Sequence, residues 1–240
     1  MTQEDGSHLP ELETAAKPTI VIETAITISL ALAVLSLFLF AWIAEDVSHN
    51  RTMAFDLALR GEIHSLASPA LTRLMFAISF VGGGDGLTLA TALIEGIFLW
   101  RRWRRAALWL LTAVAGSIVL QVALKYAFHR PRPIAFFGPL PHTYSFPSGH
   151  ALSSFCFYGV LAGLLADRTK SRRHRILIWI CAALLVAAIG FSRIYLGVHY
   201  PSDVIAGYLT AALWVSTMVT VDRLRVRRKG KALTVKDPSG

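Results

Sequence analysis

The amino-acid sequence predicts an all-α protein: a six-span transmembrane helical bundle with an extra interfacial or partial helix before the second span. Of its 240 residues, 54% are hydrophobic and only 16% charged, and the mean hydropathy of +0.52 lies well to the apolar side of soluble domains. The apolar residues form runs long enough to cross a bilayer, whose hydrocarbon core of about 30 Å takes roughly 20 residues of helix. The excess charge of +9 falls in short segments between those runs.

Residues 1–23 read as a polar N-terminal tail, acidic and without the small-residue cleavage site of a signal peptide. The first span, 24–44, contains no charge. Residues 71–81 are apolar but stop at the run Gly82, Gly83, Gly84, and they read as the partial helix, because irregular backbone at membrane depth must be satisfied by protein or water. Spans follow at 86–100, 106–127, 149–166, 176–193 and 203–221, and residues 222–240 form a basic tail. The membrane-embedded domain is thus 24–221. Residues 47–81 are expected to shape lipid access, and Gly159 and Gly163 to serve helix packing.

The basic segments "RRWRR" (101–105), "DRTKSRRHR" (167–175) and "DRLRVRRKGK" (222–231) flank spans as cytoplasmic loops do. That places both termini in the cytoplasm and the remaining loops outside. It also argues against nucleic acid as the partner of the positive charge. Cys156 and Cys181 sit inside apolar runs and imply neither a disulfide framework nor a metal site.

Three polar clusters gather at the outer ends of spans three to six: "KYAFHRPRP" (125–133), "FPSGH" (146–150) and "SRIYLGVHYPSD" (192–203). Lys125, Arg132 and Arg193 converge with Asp203 as the one nearby carboxylate, and such a surplus of cations asks for an anion, the planar guanidinium fork suiting phosphoryl oxygens. For Lys125 and Arg132 the alternative is snorkelling to the interface. Ser148 and Gly149 resemble a helix start, with Ser148 as N-cap, Gly149 open to close approach and free amides facing an anion. His150 in that first turn can pass a proton at neutral pH; it can equally be incidental to a capped helix. His199 and Asp203 are four residues apart around the helix start marked by Pro201. The carboxylate can hold one imidazole nitrogen as N–H and leave the other as a nucleophilic lone pair, or the pair merely caps the last helix. His8, His49, His64, His129, His142 and His174 have no comparable setting. Glu23, Asp85 and Glu95 are charges near span ends to which the sequence assigns no function.

Together the clusters read K-x6-R-P (Lys125, Arg132, Pro133), P-S-G-H (147–150) and S-R-x5-H-x3-D (Ser192, Arg193, His199, Asp203). In this the sequence resembles the type 2 phosphatidic acid phosphatase family over residues 125–203, about a third of the chain. The resemblance implies a helical bundle and hydrolysis through a phosphohistidine, independent of metal and cofactor. His199 would attack phosphorus, Asp203 orient it, and His150 protonate the leaving oxygen. Lys125, Arg132, Ser148, Gly149 and Arg193 would hold the phosphoryl oxygens.

A site at the outer interface suits a lipid whose tail stays in the bilayer: undecaprenyl diphosphate, or a phospholipid-type phosphate such as phosphatidylglycerophosphate or phosphatidic acid. The source implied is a bacterial plasma membrane. A lipid phosphotransferase of the same family, and a phosphate-lipid binder or transporter, are the competing expectations; a transporter would carry its polar residues to the midplane.

Overall fold

The computed structural model describes residues 9–235, with side chains described for 21–228. All regular structure in it is helical: α1 Leu9–Ser48, α2 Met53–Ser65, α3 Pro69–Val81, α4 Gly84–Trp100, α5 Arg104–Phe128, α6 Gly149–Ser154, a π turn Phe155–Gly159, α7 Val160–Ala166, α8 Arg172–Tyr195 and α9 Pro201–Val235. Five segments are long and apolar enough to cross a membrane: Val21–Ser48, Arg104–Phe128, Gly149–Ala166, Arg172–Tyr195 and Pro201–Arg228. A sixth is the pair α3 and α4, bent by 49° at its break. The six predicted spans and the partial helix are therefore all present. The partial helix is the first half of a broken span, with Gly82 as the C-cap of α3 and Gly83 as the N-cap of α4.

The chain divides into two compact units. Of the described residues, 9–35 with 216–235 form one, and within it Ser29 Oγ and Thr220 Oγ1 share a hydrogen bond of 2.8 Å and Arg227 pairs with Glu23 at 3.1 Å. Glu23, unexplained in the sequence, is thus a partner for the basic end of α9.

Residues 36–215 form the other unit, which holds the three polar clusters. Its lipid-facing surface is apolar, with Phe38, Trp42, Leu108, Val119, Leu177 and Leu184 all exposed, as expected where the solvent is hydrocarbon. Two buried apolar cores lie beneath the loops. Ile194, Tyr195, Leu196, Val198 and Val204 pack with Ile63 and Met75. Phe146 packs with Ala44, Val47 and Ala206, and its ring meets that of Phe128 edge-on at 4.9 Å. Truncating a fully buried phenylalanine of this kind costs about 3–5 kcal/mol, so the apolar residues between the motifs fix the motifs' backbone.

The segment ahead of the broken span contains one element the sequence did not reveal. α2 is a 13-residue helix, too short to cross, and it buries Asp56, Arg60 and Ile63. Arg60 Nη2 donates to the carbonyls of Ile134 at 2.8 Å and Gly197 at 3.0 Å, and its guanidinium lies 4.4 Å over the Phe136 ring. One side chain of α2 thereby ties together the loop after α5 and the loop before α9.

Candidate active site

The loop from 129 to 148 begins where α5 cannot continue. Pro131 and Pro133 lack the amide a helix needs, and His129 ends α5 in the left-handed conformation at φ 49°. The loop is pinned by Ser145 N–H donating to Arg130 O at 2.9 Å and by Phe136 and Phe137 N–H donating to Leu196 O at 3.0 and 3.2 Å. Opposite, Gly197 takes φ +78°, and a Cβ there would run into Phe136. Glycine is what allows the two loops to approach so closely.

α9 starts at Pro201, whose fixed φ suits a first helical position. Asp203, two residues further on, accepts from Tyr200 N–H at 2.9 Å through Oδ2, the reach-back of a capping box. The same oxygen lies 3.3 Å from His199 Nδ1 and accepts from the Ser145 hydroxyl. Capping the helix and holding the imidazole are thus one arrangement of Asp203. Ser148 N–H donates to Asp203 O at 2.9 Å, which links the second motif to the third through the backbone.

The other face of His199 decides its tautomer. Arg132 Nη1 lies 3.0 Å from His199 Nε2, and a guanidinium has no lone pair to offer. Nε2 therefore accepts, and the ring proton sits on Nδ1 toward Asp203. His199 is almost wholly buried; burial pushes its pKa down to about 3, outweighing the opposing pull of the Asp203 hydrogen bond. The ring is neutral, with its free nitrogen held beside a cation.

Arg132 also donates to the carbonyls of Thr143 at 2.6 Å and Val198 at 2.8 Å and to Thr143 Oγ1 at 2.9 Å. Lys125 Nζ donates to the same hydroxyl at 3.1 Å. Arg193 Nη1 donates to Ser79 on α3, while its Nε is buried without a partner. Among the described residues none of these three cations forms an ion pair with a carboxylate. Each is held instead by neutral oxygens that leave its charge available.

A cavity of about 1320 Å³ is lined by Lys125, Arg132, Gly149, His150, Arg193 and His199. It thus gathers six of the eight residues the sequence singles out. Ser148 and Asp203 are fully buried behind it. Ser148 does occupy the N-cap of α6, but its hydroxyl makes no capping bond and is buried without a partner, unlike that of an ordinary serine cap. The close approach at Gly149 is taken by Gln121, whose side-chain oxygen stands where a Cβ would be. Opposite His150, a Cβ on Gly83 would lie 3.2 Å from Nε2, so the break between α3 and α4 makes room for that ring. The cavity continues along α4 and α5 past Leu87, Ala92, Leu111, Val114, Ile118 and Val122, a mostly apolar extension of the cationic end that also carries Thr88, Thr91 and Glu95.

Four residues in and behind this site escape a reading of the sequence: Thr143, Ser145, Arg130 and Asp56. Asp203 is not the only carboxylate near the cations. Asp56 is fully buried beside Arg130, at 2.8 Å. Because this extra carboxylate arrives with its own extra cation, the surplus of positive charge in the cavity stands.

The PAP2 superfamily model matches residues 106–227, more than half of the chain and all three motifs. The chain belongs to the PAP2 superfamily. It is 33% identical over 178 residues to phosphatidylglycerophosphatase B of Bacillus subtilis, an alignment covering 72% of this chain and 86% of that one. It is 30% identical over 176 residues to an undecaprenyl-diphosphatase of Sulfolobus acidocaldarius, covering 71% and 79%. The crystal structure of a transmembrane PAP2 type phosphatidylglycerolphosphate phosphatase from Bacillus subtilis superposes with a TM-score of 0.71 at 28% identity, covering 81% of this chain and 96% of that one.

Proposed function

We propose that this PAP2 membrane protein hydrolyses the phosphate or diphosphate group of a membrane lipid through a phosphohistidine on His199. The observation that carries the reading is the state of His199: Nδ1–H turned to Asp203 and Nε2 unprotonated, its lone pair held by Arg132, in a cavity shared with His150 and three cations. Attack of Nε2 forms the N–P bond as the P–O bond to the lipid breaks; His150 gives its proton to the departing oxygen. Asp203 balances the imidazolium that develops. Water, losing a proton to His150, then attacks phosphorus and frees His199 and phosphate. Lys125, Arg132, Arg193 and the amide of Gly149 meet the charge on the equatorial oxygens, as fixed donors do in phosphoryl transfer. The Ser148 hydroxyl, unpartnered behind them, is a further donor to those oxygens.

The substrates that fit are undecaprenyl diphosphate and phospholipid-type phosphates such as phosphatidylglycerophosphate and phosphatidic acid, since the cavity joins a cationic end to an apolar extension. Relatives named for the first two kinds are similar over most of this chain. The positive-inside pattern supports an active site facing the cell exterior, with both termini inside.

The test is phosphate release in detergent with EDTA present, comparing the three lipids with wild type and His199→Ala. Release by the wild type alone is the expected result, and the relative rates rank the lipids. Folded wild-type protein that releases nothing from any of them points to a phosphotransferase or a binder instead. A single cysteine at His142, in a chain lacking Cys156 and Cys181, tests the orientation: it should react with impermeant reagent from outside the cell, and reaction only from the cytoplasmic side would reverse it.

A further inference from the structure

α2 buries a carboxylate completely, and such a group is retained only if it is paired and hydrogen-bonded. Asp56 Oδ2 accepts from Arg130 Nη2 at 2.8 Å and from the Ser202 hydroxyl at 2.7 Å, and its Oδ1 accepts from Ser202 N–H at 2.9 Å. The other end of the same guanidinium, Nη1, donates to Asp203 Oδ1 at 2.6 Å and to Ser202 Oγ at 2.8 Å. The Tyr200 ring lies 4.2 Å beneath it. Arg130 therefore joins two buried carboxylates, one on a short helix outside the spans and one behind the imidazole.

The consequence lies in how Asp203 divides its oxygens. Oδ1 is taken by Arg130, which leaves Oδ2 for His199 Nδ1, Tyr200 N–H and Ser145. We propose that Arg130 and Asp56 are positioning residues for the reaction, acting through Asp203: the guanidinium fixes the plane of the carboxylate so that Oδ2 faces His199, and Asp56 fixes the guanidinium. Neither residue lines the cavity, so neither touches substrate. Only arginine serves at 130, because a planar fork spans two carboxylates where an ammonium offers a point charge. The proposal rests on His199 as nucleophile and gives α2 a function beyond that reading.

The test is phosphate release by the purified full chain in detergent, over a range of concentrations of whichever lipid phosphate the wild type turns over fastest. Arg130→Gln is expected to lower kcat about 10²-fold, the scale of a small misplacement of a reacting group, with KM within threefold of wild type. Arg130→Lys recovers only a few-fold, and Asp56→Asn lowers kcat about tenfold, again at constant KM. Folded Arg130→Gln protein with kcat within threefold of wild type overturns the proposal, and so does a loss expressed mainly in KM. Should Arg130→Gln not fold, Asp56→Asn and Ser202→Ala decide by the same criterion. His199→Ala runs in the same series: wild-type turnover by that variant removes the nucleophile reading itself, whereas an inactive His199→Ala beside unaffected Arg130 and Asp56 variants removes the positioning proposal alone.

Discussion

Arg132 Nη1 donates to His199 Nε2 across 3.0 Å, so a cation occupies the lone pair that the proposed attack on phosphorus requires. Substrate must draw the guanidinium away, and phosphoryl oxygens are better acceptors for it than a neutral ring.

Two opposite effects follow for Arg132→Ala. Turnover should fall by about 10²- to 10³-fold in kcat/KM, the usual loss on removing one donor from a developing oxyanion. In the absence of substrate, His199 should react faster with diethyl pyrocarbonate, read by mass spectrometry of the His199 peptide. Unchanged labelling would mean that Arg132 does not cap the ring.

Asp203→Asn replaces an acceptor with a group that can also donate, so the ring can turn over to the tautomer with its proton on Nε2. By the logic of other imidazole–carboxylate pairs, kcat should drop on the order of 10³- to 10⁴-fold. Steady-state assays should find the loss in kcat rather than in KM, because Asp203 is buried behind His199.

The depressed pKa of His199 also makes stability depend on pH. In the unfolded chain the imidazole titrates near 6.5, whereas burial holds it near 3 in the folded one. Between these values the unfolded chain binds a proton that the folded chain refuses, so the contribution is intact above about pH 6.5 and is lost as pH falls toward 3. Melting temperatures measured from pH 7 down to pH 4 should decline for wild type. They should decline less for His199→Gln, which cannot titrate.

Gly197→Ala places a side chain at φ +78° against Phe136. The left-handed backbone alone costs about 1–2 kcal/mol, and the clash adds to it. We expect thermal melting of the detergent-solubilised protein to fall by at least about 2 °C, with activity falling alongside because His199 is two residues away.

The spans and the motif residues were legible because each signal is local. Length and apolarity define a span, and a glycine run marks the break between α3 and α4. His199 and Asp203 lie one helical turn apart, and Pro201 marks where that turn begins. Arg130 and Asp56 were hidden for the opposite reason. They are separated by 74 positions, and a lone aspartate on a helix of 13 residues reads as a solvated face. "HRPRP" contains two arginines, and the K-x6-R-P spacing selects Arg132 and leaves Arg130 without a role. The available clue was "MAFDLALRGEIHS", in which Asp56 and Arg60 stand one turn apart among the apolar residues of the first two turns. Thr143 and Ser145 gave no signal, since a loop hydroxyl acquires meaning only when folding brings Arg132 or Asp203 against it.

The covalent route through His199 is tested most directly by trapping. Wild-type protein mixed with phosphate-labelled lipid and quenched in base within milliseconds should carry the label on the His199 peptide, labile to acid, and His199→Ala should carry none. Phosphate release by the His199→Ala protein at the wild-type rate, with no label trapped on either protein, would contradict the account.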